Sequence, residues 1–283
     1  MRVSRVFSAF AFTFFLLPSR AQETRPPKPP SPLDRVVVLG ASLSAGFGNL
    51  LPLRMVLRKA FPERKWTAQN LKDTATSLFF LQPLGTGKFQ VDKALDFKPT
   101  LVVGLDFLFW YLYGEVPEKS RLQRLEKGLE QVERLGKVPV LVGDIPDMHG
   151  ASPDMLPPSA IPEKETLKAA NEKIQAWTKK HPNVLLFPLA EFTSEAKAKG
   201  WDLKLGPGGK ASSPSLHFTP AQLLQKDRLH PSRAGAWLLG RLLAQFMEKH
   251  LPGIKKTKSP RIPASLILKE LSKAPQKKKK QPL

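Results

Sequence analysis

The chain has 283 residues, enough for one large domain or two small ones, and 41% of them are hydrophobic, an ordinary globular share. It contains no cysteine, so disulfides and thiolate metal sites are excluded and stability rests on packing. The formal net charge of +21 favours anionic partners such as nucleic acid, acidic polysaccharide or anionic lipid, without choosing among them.

The first 21 residues read as a secretory signal. Arg2 and Arg5 give a positive start, Val6 to Leu17 is a mostly apolar run too short to span a bilayer, and Ser19 and Ala21 are small residues where a signal peptidase reads. This predicts export to the periplasm or beyond the cell, with an uncleaved anchor as the alternative. Residues 22–33 form a Pro-rich spacer carrying Pro26, Pro27, Pro29, Pro30 and Pro32. A single domain is expected over 34–250. Residues 251–283 hold ten Lys or Arg and one acid, and read as a basic, disordered tail with no part in the core. Lys277, Lys278, Lys279 and Lys280 at its end are available to an anionic surface.

Within the domain, strands and helices alternate. Arg35 to Leu39 is a β-branched run suited to a strand buried on both faces. One helix is expected over Ala45 to Lys59, and a weaker strand over Trp66 to Asn70. Thr100 to Gly104 is the next strand. Leu122, Leu125, Leu129, Val132 and Leu135 then fall at helical spacing within a helix over Lys119 to Leu135. Val138 to Val142 follows as a strand, with Pro139 marking an irregular or edge start. A helix over Glu163 to Lys180, a strand over Val184 to Phe187 and a closing helix over Ser232 to Lys249 complete the pattern. Strands separated by helices imply parallel βαβ units, hence a five-stranded parallel sheet with helices on both faces. Working groups in such a sheet sit at the carboxyl ends of the strands.

That rule places three segments on one rim: Gly40 to Gly48, Gly104 to Phe107, and the loop before the last helix. Gly40-Ala41-Ser42-Leu43-Ser44-Ala45-Gly46 puts Ser42 at a helix start, where free N–H groups could stabilise an oxyanion, or where the serine could simply cap the helix. Asp227-Arg228-Leu229-His230-Pro231 offers a histidine to activate a serine and a carboxylate to orient the histidine, although an isolated Asp-x-x-His is more commonly a surface ion pair. His149 and His217 read as loop residues, and Asp144 and Asp147 as turn formers near the same rim. Phe107 to Tyr113 is a core segment and hydrophobic wall, or alternatively an acyl pocket. No zinc spacing, phosphate loop or dinucleotide fingerprint occurs.

Taken together, Gly-x-Ser-Leu-Ser-Ala-Gly after the first strand and Asp-x-x-His-Pro before the last helix resemble the SGNH or GDSL-type hydrolases over about residues 35–248. The resemblance implies a three-layer, flavodoxin-like α/β fold. It maps the nucleophile onto Ser42, the carboxylate onto Asp227 and the base onto His230. It further implies cleavage of carboxylic esters of lipid, thioester or acetylated-sugar type through an acyl-serine, with no cofactor and no metal. The sequence departs from the family pattern at Ala41, where an Asp is usual, and at Asp106, where an oxyanion-binding Asn is usual. It also has Lys72 in the place of an oxyanion-hole glycine, with Gly85 and Gly87 as the alternative donors. Ser42, Lys72 and Asp106 are therefore the expected oxyanion-hole positions. The alternatives are an acyltransferase, or a catalytically impaired binding module tethered to an acidic surface or glycan. No nucleic-acid recognition motif accompanies the charge.

Overall fold

Short runs of β-branched and aliphatic residues set the architecture, because successive side chains of a strand point to opposite faces. The computed structural model describes residues 30–48, 51–205 and 215–273. β1 (Val36–Val38), β2 (Leu71–Asp73), β3 (Leu101–Gly104), β4 (Val140–Gly143) and β5 (Val184–Phe187) form an all-parallel sheet in the order β2-β1-β3-β4-β5. The helices are, in chain order, α1 (Ser42–Ala45), α2 (Leu53–Ala60), α3 (Pro83–Phe97), α4 (Phe109–Leu112), α5 (Arg121–Glu133), α6 (Lys164–Lys180), α7 (Leu189–Ala198), α8 (Pro220–Leu223), α9 (Arg233–His250) and α10 (Ala264–Ser272). β6 (Trp201–Lys204) and β7 (Ser215–Phe218) make a separate antiparallel pair.

The alternation builds two cores. Val36, Val38, Leu101, Val103 and Leu141 point to one face, where α2, α7, α9 and α10 contribute their buried side chains. Val37, Val102, Val140 and Val142 point to the other, covered by α3, α5 and α6. The result is a three-layer α/β fold. The chain leaves β1 for β2 on one side and then crosses to β3 on the other. The reversal opens a crevice beyond the carboxyl ends of β1 and β3, where this class of sheet binds ligands.

Three expectations need correction. The second strand forms at Leu71–Asp73, not over Trp66 to Asn70. There Asn70 accepts the Thr67 N–H and donates to the Lys65 carbonyl, closing a turn in place of a strand. The single helix expected over 45–59 is divided into α1 and α2. Gly46 is left-handed (φ 87°), and a Cβ on it would lie 2.7 Å from Pro52, so the chain turns there.

The tail is not disordered from 251 onward. Ile254, Ile262 and Ile267 are buried in the first core, and α10 packs on α9. Gly240 of α9 leaves the room for this, since a Cβ on it would collide with Val56 and crowd Ile262. Arg261 fixes the segment by donating to Glu248 and Glu63 while its guanidinium sits 4.4 Å from the Phe61 ring centre. Few apolar residues suffice because they fall where the groove beside α9 receives them. The expected signal segment, most of the spacer and Lys277–Lys280 lie outside the described residues.

Ile267→Ala is expected to lower stability by about 2–5 kcal/mol in urea denaturation. A change under about 0.5 kcal/mol would mean that α10 does not contribute to the core.

Candidate functional site

The nucleophile candidate stands on a tightly packed turn. Gly40 has φ 129°, and an added Cβ would lie 2.2 Å from Asp106 Oδ1, so only glycine fits. Its peptide is clamped by the fully buried Gln90 of α3: the Gly40 N–H donates to Oε1 at 2.8 Å and the Gly40 carbonyl accepts from Nε2 at 2.9 Å. The same carbonyl accepts the Thr76 N–H at 3.1 Å. The turn delivers Ser42 as the first residue of α1.

Asp106, 6% exposed, holds α1 from below. Its Oδ2 accepts the Leu43 N–H at 2.8 Å and the Ser44 N–H at 3.3 Å, and its Oδ1 pairs with the Ser44 hydroxyl at 2.5 Å. Burial pushes its carboxyl above the ordinary range, opposed by the donors from Ser44, Ala41 and Leu43.

The second loop is built around Asp227. Its Oδ1 accepts the N–H groups of Leu229 and His230, both at 3.0 Å, while Arg228 between them adopts the left-handed conformation (φ 54°). Its Oδ2 lies 2.8 Å from His230 Nδ1. Burial resists ionisation of Asp227, but the hydrogen bonds from the His230 backbone and ring and from Leu229 outweigh it and hold the carboxyl below its ordinary value. His230, 4% exposed, turns Nε2 to within 2.9 Å of Ser42 Oγ. Ser232 then accepts the Gly235 N–H and caps α9, which fixes the end of the loop.

Two residues that were not singled out from the sequence bind the halves together. Phe47 stacks on the His230 ring with centroids 4.8 Å apart. Gln225 links both loops: its side-chain amide donates to the carbonyls of Phe47 and Pro231, and its backbone N–H donates to the His230 carbonyl.

Ser42, Asp227 and His230 therefore meet, and Lys72 does not join them. Lys72 is paired with Val37 in the sheet, short of the strand end, and its ammonium lies 5.9 Å from the Phe97 ring centre. Asp106 is beside Ser42, but its oxygens are taken up by α1, so it presents no amide-like donor to an oxyanion. Gly85 and Gly87 belong to α3, where Gly87 lets Tyr111 approach. His149 pairs with Asp147, and His217 with Asp202, on exposed positions. Asp144 accepts the Ala190 N–H at the start of α7.

Next to Ser42 opens an apolar cavity of about 60 Å³, walled chiefly by Phe109, Trp110, Met148, Leu189, Phe192 and Leu229. The rest of the aromatic run, Phe107 and Tyr111 to Tyr113, is core. Among the described residues no group of three or more His, Asp or Glu is arranged to hold a metal ion.

The architecture is matched by a lipase/acylhydrolase from Enterococcus faecalis, with a TM-score of 0.50 and 17% identity over 78% of this chain and 100% of that one. The chain shares the three-layer α/β fold of that structure. A GDSL-like lipase from Bacteroides thetaiotaomicron (TM-score 0.46, 15% identity, 77% and 90% covered) and a psychrotrophic esterase from Pseudoalteromonas (0.45, 17%, 76% and 97%) are also similar. No protein-family model matches the sequence, and neither does any curated protein.

On this fold the Gln90 clamp yields a direct expectation. Gln90→Leu, close in shape, leaves the Gly40 N–H buried without an acceptor and is expected to cost about 1–3 kcal/mol in urea denaturation. An unchanged midpoint would show that the clamp contributes nothing.

Proposed function

We propose that the protein is a serine hydrolase that cleaves carboxylic esters through an acyl-enzyme on Ser42. The observation that carries this reading is the continuous chain of contacts from Ser42 Oγ to His230 Nε2 at 2.9 Å and from His230 Nδ1 to Asp227 at 2.8 Å. In the proposed cycle His230 Nε2 takes the Ser42 proton as Oγ attacks the acyl carbon. Asp227 keeps the Nδ1–H tautomer and stabilises the imidazolium. The proton passes from Nε2 to the leaving alcohol, and water repeats the sequence on the acyl-serine to release the acid. Phe47, stacked on the ring, restricts its rotation and its access to water. The Ser42 N–H, at the first position of α1, is the natural oxyanion donor. The intact relay is the argument against a binding module that has lost its chemistry.

The cavity narrows the substrate. At roughly 10–15 Å³ per water-sized group, its volume of about 60 Å³ takes a short to medium aliphatic chain. Its walls are mainly apolar, which suits an apolar acyl group better than a sugar hydroxyl.

Ser42→Ala is expected to abolish turnover of activated esters while leaving the thermal midpoint within a few degrees of the wild type. For the wild type, kcat/KM should rise about fourfold per methylene from acetate until the cavity is full, reflecting ~0.8 kcal/mol per buried methylene. Retained activity in Ser42→Ala would overturn the assignment of the nucleophile. A profile that is best for acetate would overturn the assignment of the pocket.

A further inference from the structure

The segment that follows β2 reaches the same rim as Ser42. The Thr76 N–H donates to the Gly40 carbonyl, and a 3-10 turn at Phe79–Leu81 comes next. Phe79 is fully buried and packs edge-on against Phe107 and Tyr111, which anchors the turn. Around this anchor Leu78, Phe80, Leu81 and Leu84 are 59%, 47%, 62% and 50% exposed. Single exposed apolar residues are ordinary, but four large ones within seven positions form a patch of the kind that marks a docking surface. The patch is continuous with the cavity, because the Phe80 ring lies 5.6 Å from that of Trp110, which lines it.

We propose that this turn docks the protein on an anionic phospholipid surface, with the cavity opening toward the lipid. The formal charge of +21 draws the chain to anionic headgroups and opposes association of two copies through like-charge repulsion. Among the described residues no helix is long and apolar enough to cross a membrane, and a patch of four side chains is of the size that inserts at an interface. The orientation of the cavity rests on the reading of the site given above; the docking itself does not.

The chain contains no cysteine, so single labels are specific. Leu81→Cys and, as a control, Lys179→Cys carry an environment-sensitive fluorophore; Lys179 lies in the last turn of α6, before β5, at the opposite end of the strands. With vesicles of phosphatidylcholine and phosphatidylserine, the label at position 81 is expected to shift to the blue and that at 179 to stay unchanged. The shift should weaken with salt and with phosphatidylcholine alone. The double variant Leu78→Asp/Leu84→Asp should lose at least about tenfold in vesicle affinity yet keep its turnover of a soluble short-chain ester within about twofold. Ser42→Ala should dock as the wild type does, which separates failure of docking from failure of the hydrolase reading. The proposal is overturned by a label at 81 that remains in water whether or not the protein sediments with vesicles, or by full affinity in the double variant.

Discussion

The hydrogen bond between Ser42 and His230 joins residues 188 positions apart, and a reactive pair of this kind is only as good as the rigidity of the two loops that present it. Each loop is fixed by its own network. Gln90 and Asp106 hold the Gly40 turn and α1 on one side. Asp227, Ser232 and the start of α9 hold the histidine on the other. Gln225 and Phe47 cross between them.

The fold determines why these loops meet. β1 and β3 are neighbours, and Leu39 of the chain leaving β1 still bonds the Val103 carbonyl of β3. Ser42 and Asp106 therefore emerge side by side at the topological reversal. α9 packs against α2 on the first face of the sheet, and its first turn brings the Asp227–His230 loop over the same crevice. Asp106 stands where the resemblance leads one to expect an asparagine. Its carboxyl serves the turn that carries the serine, and under the proposed reading oxyanion stabilisation falls to backbone N–H groups.

Much of this was legible in the sequence because the relevant signals are local. RVVVL and TLVVG announce buried parallel strands, Leu122 to Leu135 announces a helix, and Asp227-x-x-His230 fits one tight turn. The signals that failed were contextual. α3 has Pro83, Gly85 and Gly87 in its first turns and so reads as a loop, yet Gly87 is required by the approach of Tyr111 and Gln90 by the Gly40 peptide. Lys72 matched a motif by spacing alone, while strand pairing with Val37 places it short of the rim. The segment after 250 is dominated by charge in composition, but Ile262 and Ile267 meet a groove that only the tertiary structure creates. Gln225 and Phe47 carry no motif, since their part lies in bridging two distant loops.

Covalent labelling with a fluorophosphonate, followed by mass spectrometry of the digested protein, tests the central claim most directly. A single adduct on the peptide carrying Ser42, abolished in His230→Ala although that variant remains folded, is the predicted result. Labelling that is absent, that falls on another serine, or that persists at full rate without the imidazole would contradict the account.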